Sequence, residues 1–254
     1  MKILTIDIGN SNICIGCVND RQVEFVERLY SDRNKTDLEF AVLIKMVLEL
    51  HQVDMTQLGG SIISSVVPPL TDLFQSAVLK LTGIRSLLVG PGMKTGINIL
   101  PQGAGADLVV GAVAAIAYYG APAIVIDMGT ATTITVVSKE KNFIGGAILP
   151  GVSLALQSLE SGTAQLPHIQ LVAPKKVINT ETIDSMQAGV VYGNAGAIDA
   201  LIDRMHAELG YETKIIACGG LAPLIVPYCR HDIIIDDELL LKGLDTLFYK
   251  NTNP

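Results

Sequence analysis

Positive charge is in short supply in this chain: 18 Lys and Arg stand against 25 Asp and Glu, a net charge of −7. That balance excludes a protein built mainly to coat nucleic acid or an anionic membrane. A small anionic ligand stays open, because a few backbone amides can hold one locally. Charge of either sign is sparse, at 17% against 49% hydrophobic residues. The longest uncharged stretch, Leu108 to Ile126, has 19 residues and would be long enough to span a bilayer. Gly111, Tyr118, Tyr119, Gly120 and Pro122 interrupt it, and Asp107 and Asp127 bound it. A buried helix, a turn and a buried strand fit it better. The opening Met1-Lys-Ile-Leu-Thr-Ile-Asp7 meets an acid before a signal-peptide apolar region can form, which reads as a cytoplasmic protein.

Cysteines are few: Cys14, Cys17, Cys218 and Cys229. The Cys14–Cys17 pair has CxxC spacing, but its surroundings read as a strand, where side chains three apart point to opposite faces. No second CxxC completes a zinc site, so buried thiols in a reducing compartment are expected. The histidines His51, His168, His206 and His231 show no ligand spacing. Two common nucleotide motifs are missing as well. Around Lys94-Thr95 the P-loop glycine positions hold Met93 and Leu88, and Gly103-Ala-Gly105-Ala-Asp107-Leu108 lacks the third glycine of the dinucleotide fingerprint.

What the chain does contain is an echo of itself. Lys2 to Ile6 is a mainly apolar run, with Lys2 and Thr5 its polar members, and leads into Asp7-Ile-Gly-Asn10; Ser11 and Asn12 follow, then a second run to Val18. Ala123 to Ile126 likewise runs into Asp127-Met-Gly-Thr130, followed by Ala131, Thr132 and Thr133 and the run Ile134 to Val137. Asp127 stands 120 positions after Asp7 in a chain of 254 residues. Each copy reads as strand, Asp-x-Gly turn, strand, and two such halves would bring their turns face to face across a cleft. Glycine lets a ligand approach the backbone, the exposed amides and polar side chains can bond phosphate oxygens, and the Asp can meet a phosphate-bound cation through water. Two ordinary hairpins remain the plain alternative. Lys214 to Cys218 reads as a strand ending at Gly219-Gly220, where a flat ring such as adenine could pack; a tight strand-to-helix turn explains it equally.

Elsewhere, Leu38, Val42, Met46 and Leu50 step by four along one face of a predicted helix over 37–50. Strands are expected over 61–67, 86–89 and 143–148, and helices over 70–81, 152–160, 184–209 and 237–249. Strands alternate with helices in both halves, which gives an α/β class. The proposed halves are 1–118 and 119–254, since roughly 150 residues make a domain.

The paired turns resemble the phosphate loops of the actin-like superfamily, which includes sugar kinases and chaperone ATPases. More narrowly, the chain resembles the type III pantothenate kinases. The resemblance rests on Asp7-Ile-Gly-Asn-Ser11, Gly90-Pro-Gly-Met-Lys-Thr-Gly96, Gly105-Ala-Asp107, Asp127-Met-Gly-Thr-Ala-Thr-Thr133 and Gly145-Gly-Ala-Ile-Leu-Pro-Gly151. Thr163-Ala-Gln-Leu-Pro167 and Thr182 with Ser185-Met-Gln-Ala-Gly189 complete it.

It implies two similar actin-like (ribonuclease H-like) halves, each a mixed sheet flanked by helices, with a nucleotide cleft between them. It also implies ATP-dependent transfer of a phosphoryl group to pantothenate, with Mg²⁺ and a monovalent cation (K⁺ or NH₄⁺), in a homodimer. The ATP phosphates would meet the loop Asp7, Ile8, Gly9, Asn10, Ser11, Asn12, Ile13 and Cys14, with Thr130 on the nucleotide and Asp127 on the monovalent cation. Asp107 would be the base; Gly105, Ala106, Asp107, Leu108 and Thr182 would line the substrate pocket. Read without the resemblance, Asp107 also suits a helix cap. Two departures stand out: Leu108 replaces the usual Arg after the catalytic Asp, and Ile97-Asn-Ile-Leu-Pro101 lacks the usual Tyr. They leave two alternatives, a nucleotide-binding regulatory protein and a kinase for another small alcohol.

Overall fold

The computed structural model describes residues 1–252, which divide into two compact units. The first comprises residues 1–119 together with the described residues from 238 onward; the second comprises residues 120–237.

In the first unit, β1 (Lys2–Ile8), β2 (Asn12–Asn19) and β3 (Gln22–Tyr30) form an antiparallel meander. Helix α1 (Asp37–Leu50) follows, then β4 (Leu58–Ser65) in parallel with β1, α2 (Pro68–Thr82) and the short β5 (Leu87–Leu88). The sheet order is β3-β2-β1-β4-β5. A short strand β6 (Asn98–Ile99) precedes α3 (Ala106–Tyr118). Central strand β1 is buried from Ile3 to Ile8, as expected of a strand covered on both faces. On one face Ile6, Ile8 and Ile13 pack with Phe40 and Ile44 of α1 and Phe74 of α2. On the other, Ile3 and Ile62 pack with Val110 and Val113 of α3 and with Leu244 and Phe248 of a further helix.

That helix corrects the domain boundary drawn from the sequence. It is the final one, Leu239–Thr252, and it belongs to the first unit rather than to the half in which it was placed. Gly243 explains its seat: a Cβ there would strike the Val110 carbonyl oxygen and lie 2.8 Å from Val110 Cγ1, so only glycine permits this approach to α3.

Helix α1 has the predicted bounds, and the residues that step by four lie on its exposed face. Leu38, Val42, Met46 and Leu50 are exposed, and Phe40, Ala41, Ile44, Val47 and Leu48 are buried. Both sets recur at helical spacing, and the aromatic-bearing one faces the core. The Thr36 capping box starts the helix, with the Glu39 amide donating to Thr36 Oγ1 and the Thr36 amide donating to Glu39 Oε2.

The second unit repeats the plan. β7 (Ala123–Met128), β8 (Ala131–Val137) and β9 (Asn142–Pro150) form a meander, followed by α4 (Val152–Gly162) and α5 (Thr182–Leu209). Then β10 (Lys214–Cys218) runs parallel to β7, with α6 (Ala222–Ile225) and β11 (Ile234–Ile235) after it. The final helix, Leu239–Thr252, is α7. The order of these strands is β9-β8-β7-β10-β11, the same arrangement as in the first unit. Even the irregularity recurs: the meander shifts register at Cys17/Val18 and again at Val136/Val137, three residues past the partner of the turn aspartate in each case. Sequence echo and topology agree on two actin-like units.

Cys14 and Cys17 bear out the diverging-strand argument. Cys17 lies in the core under α1 and α2, Cys14 packs against the core under α3 and α7, and none of the four cysteines is in a disulfide. Among the described residues no helix is long and apolar enough to cross a membrane; the stretch from Leu108 is α3, a turn at Gly120 and β7.

Candidate active site

Asp7 and Asp127 occupy the same place in their sheets. Each is the next-to-last residue of a central strand, with an antiparallel neighbour on one side and a parallel neighbour on the other. Asp7 stands in register with Cys14 and Ser64; Asp127 stands in register with Thr133 and Cys218. Residues in register present their side chains to the same face, so each carboxylate sits in a lateral row of three.

The first turn is closed by the Gly9 amide donating to the Asn12 carbonyl at 3.0 Å. Ser31 fixes it from the end of β3: its hydroxyl donates to the Gly9 carbonyl at 2.6 Å, and its amide donates to the Ser11 carbonyl at 3.0 Å. Arg33 reaches Asn10 Oδ1 at 3.4 Å. Asn10 and Asn12 are exposed, while Ile8 and Ile13 are buried in the core, so of the predicted loop those two can offer only backbone. Ser31 and Arg33 escaped the sequence reading. The Ser-Asp-Arg run after a strand carries no signal until the meander brings it beside the turn.

The second turn is closed by the Gly129 amide donating to the Ala131 carbonyl at 3.1 Å. Gly151 lies tight on it: its amide donates to the Thr130 carbonyl, and a Cβ at position 151 would lie 2.6 Å from the Gly129 carbonyl oxygen. Thr130 is exposed at the tip, and Asp127 is half-buried.

Asp107 belongs to the first unit, in the first turn of α3. The helix cap is Gly105, which has no side chain to offer, and the Leu108 amide donates to Asp107 Oδ1 at 2.8 Å. Asp107 is therefore not the capping residue, although its carboxylate satisfies one of the exposed amides. Burial pushes its carboxyl above the usual carboxylate range, outweighing the hydrogen bonds that act the other way. A Cβ at Gly105 would collide with Asp107 Oδ1 and lie 3.6 Å from Val66 Cγ1. The Val66 amide in turn donates to the Ile8 carbonyl at 3.0 Å. The start of α3 and the Asp7 turn thus share the carboxyl-terminal edge of β1 and β4. Ala106 packs into the core beneath α3, and Leu108 is half-buried. Thr182 is the exposed first residue of α5, in the second unit, whereas Gly105 to Leu108 lie in the first.

The site residues suit a magnesium nucleotide. Glycine turns leave room for phosphate oxygens, and Asp7 offers a carboxylate. No cluster of three or more His, Cys, Asp or Glu side chains with metal-binding geometry occurs among the described residues. Each turn by itself can meet phosphate oxygens, and in the first unit Asp107 offers a half-buried carboxylate as a proton acceptor.

Comparison with known proteins agrees. The family model described as type III pantothenate kinase matches residues 3–204. A type III pantothenate kinase from Halalkalibacterium halodurans is 40% identical over 252 residues, covering 98% of this chain and 99% of that one. Among solved structures, a Baf family protein from Campylobacter jejuni aligns over 99% of this chain and all of its own, with a TM-score of 0.61 and 22% identity. Component A of (R)-2-hydroxyglutaryl-CoA dehydratase from Acidaminococcus fermentans aligns over 96% of this chain and 95% of its own, at TM-score 0.58 and 14% identity. These two likenesses are of fold alone. With the doubled sheet, the paired turns and the half-buried Asp107 in place, the chain belongs to the type III pantothenate kinase family.

Proposed function

We propose that the protein transfers the γ-phosphoryl group of ATP to the hydroxyl of pantothenate, giving 4′-phosphopantothenate at the entry to coenzyme A synthesis. The observation that carries this reading is the Asp107 carboxylate, half-buried at the start of α3 beside the strand edge that bears the Asp7 turn. Phosphoryl transfer proceeds through a loose transition state, so positioning and charge neutralisation dominate the catalysis. Mg²⁺, when bound with ATP, neutralises charge on the phosphates. The Gly9 and Gly129 turns present backbone amides and the Asn10, Ser11, Asn12 and Thr130 side chains to phosphate oxygens. Asp7 orients the phosphate-bound cation. Asp107 takes the proton of the pantothenate hydroxyl as its oxygen bonds to the γ-phosphorus; the bond to the bridging oxygen breaks, and ADP leaves.

In this reading Asp127 holds the monovalent cation, and Gly105, Ala106, Leu108 and Thr182 border the acceptor. The enzyme works as a homodimer. A cytoplasmic setting suits four cysteines that are in the thiol rather than the disulfide form. Leu108 offers the pantothenate carboxylate no charge-assisted bond, so another cation must serve it.

A coupled ADP-release assay with pantothenate, with related hydroxy-amides and with no acceptor tests the proposal. ADP release that depends on pantothenate is expected. Release with a different alcohol only would redirect the acceptor assignment, and nucleotide binding without turnover would leave a regulatory protein. Leu108→Arg should lower the KM for pantothenate; an unchanged or raised KM would refute the account of the lost contact.

A further inference from the structure

Among the described residues four buried side-chain polar atoms have no hydrogen-bond partner: Ser64 Oγ, Thr132 Oγ1, Thr133 Oγ1 and Asp245 Oδ1. Two of the four are the lateral neighbours of the turn carboxylates. Ser64, fully buried, is in register with Asp7 across β1 and β4. Thr133 is in register with Asp127 across β7 and β8. The two hydroxyls flank their carboxylates from opposite sides, one on the parallel strand and one on the antiparallel strand. The positions across from them hold Cys14 and Cys218. Each row therefore contains one carboxylate, one thiol and one unpartnered hydroxyl, although the sequence around Ser64 bears no likeness to that around Thr133.

An isolated buried hydroxyl costs free energy, and folded proteins seldom keep one without use. A carboxylate that binds a cation is commonly held by a hydrogen bond to its other oxygen, which fixes its orientation. Catalytic hydrogen bonds are also often unformed before substrate arrives. We propose that Ser64 is a positioning residue for Asp7: its hydroxyl donates to the Asp7 carboxylate when that carboxylate takes up the phosphate-bound cation, and Thr133 does the same for Asp127. The assignment rests on the reading of Asp7 given under Proposed function.

The variant Ser64→Ala removes the donor without adding bulk. Calorimetric titration with the non-hydrolysable analogue AMP-PNP, with and without Mg²⁺, reads cation binding apart from turnover. The Kd for Mg²⁺·AMP-PNP should rise about 10- to 100-fold, as for other groups that hold a metal-binding carboxylate. Metal-free AMP-PNP binding and the KM for pantothenate should stay within about twofold, and kcat should fall with the Mg²⁺ affinity. The Tm should hold or rise, because the lost hydroxyl had no partner. Unchanged Mg²⁺·AMP-PNP affinity, or equal weakening with and without Mg²⁺, would overturn the proposal. Thr133→Val, which keeps the side-chain shape, repeats the test at Asp127, with a rise in the K⁺ concentration for half-maximal AMP-PNP binding expected and no change opposing it. Because AMP-PNP binding involves no acceptor, wild-type protein inactive on pantothenate would count against the proposed function and leave this inference standing.

Discussion

Gly219 is pressed against the backbone of Met128: a Cβ at position 219 would lie 2.7 Å from the Met128 carbonyl oxygen and 2.8 Å from its amide nitrogen and carbonyl carbon. The residue also has φ of +95°, a region that L side chains rarely adopt. It thereby supports the strand that carries Asp127 from the neighbouring strand end. Gly219→Ala should destabilise the protein by about 2–4 kcal/mol, combining backbone strain with overpacking. Urea denaturation measures this, and Gly220→Ala, where a Cβ meets nothing within 4 Å, is the matched control.

Asp107→Asn should lower kcat by about 10²–10⁴-fold, the usual range for a lost general base. Steady-state kinetics with saturating ATP check it. The stability effect has the opposite sign. Burial raises the Asp107 carboxyl above its ordinary value of 3.8, so the protonated form is the one the fold favours. Its contribution to stability is complete below that ordinary value and is lost as pH rises through the raised one. The Asn variant should therefore melt higher than wild type at neutral pH, and the two should converge below pH 3.8.

Arg21 and Asp245 form a second pH-sensitive pair. Arg21 Nη1 lies 3.2 Å from Asp245 Oδ2; the Asp is 1% exposed and the Arg 51%. The guanidinium also covers the Tyr249 ring at 4.7 Å. Arg21→Ala leaves a carboxylate buried in α7 without its cation. The loss should be about 1–2 kcal/mol, below the value for a fully buried pair because Arg21 is screened by solvent. Burial raises the Asp245 carboxyl from 3.8 despite Arg21, so the penalty should shrink as pH falls toward that value and the group protonates. Denaturant unfolding at pH 7 and pH 4 gives the comparison.

Burial pushes the Cys17 and Cys229 thiols up to about 12. At pH 8 roughly one molecule in 10⁴ then carries either thiolate. Neither cysteine should react with iodoacetamide over a time in which a free thiol is fully modified, as peptide mass spectrometry can show. Rapid alkylation of Cys17 in folded protein would contradict its burial.

Repetition was the most legible property of this sequence. The Asp7 and Asp127 turns, their flanking strands and the 120-residue offset could be read because local patterns encode them. What escaped was set by contacts between distant segments. In α1 the exposed Leu38, Val42, Met46 and Leu50 and the buried Phe40, Ile44 and Leu48 both keep helical spacing, so periodicity alone could not choose a face. The return of α7 to the first unit depends on Gly243 meeting Val110, a relation no local pattern displays. Ser64 shows the same limit within the site. Its importance lies in being level with Asp7, and that register exists only once β4 has paired with β1.

The first unit is closed by a helix that follows the whole second unit in the chain. While the protein is being made, residues 120–237 emerge and can fold before α7 has left the ribosome. Until then Ile3, Ile62 and Val110 lack the Leu244 and Phe248 side chains that cover them. The nascent chain therefore carries an open apolar surface next to the Asp7 strand until the second unit has been made, and the first unit closes only after the second has emerged.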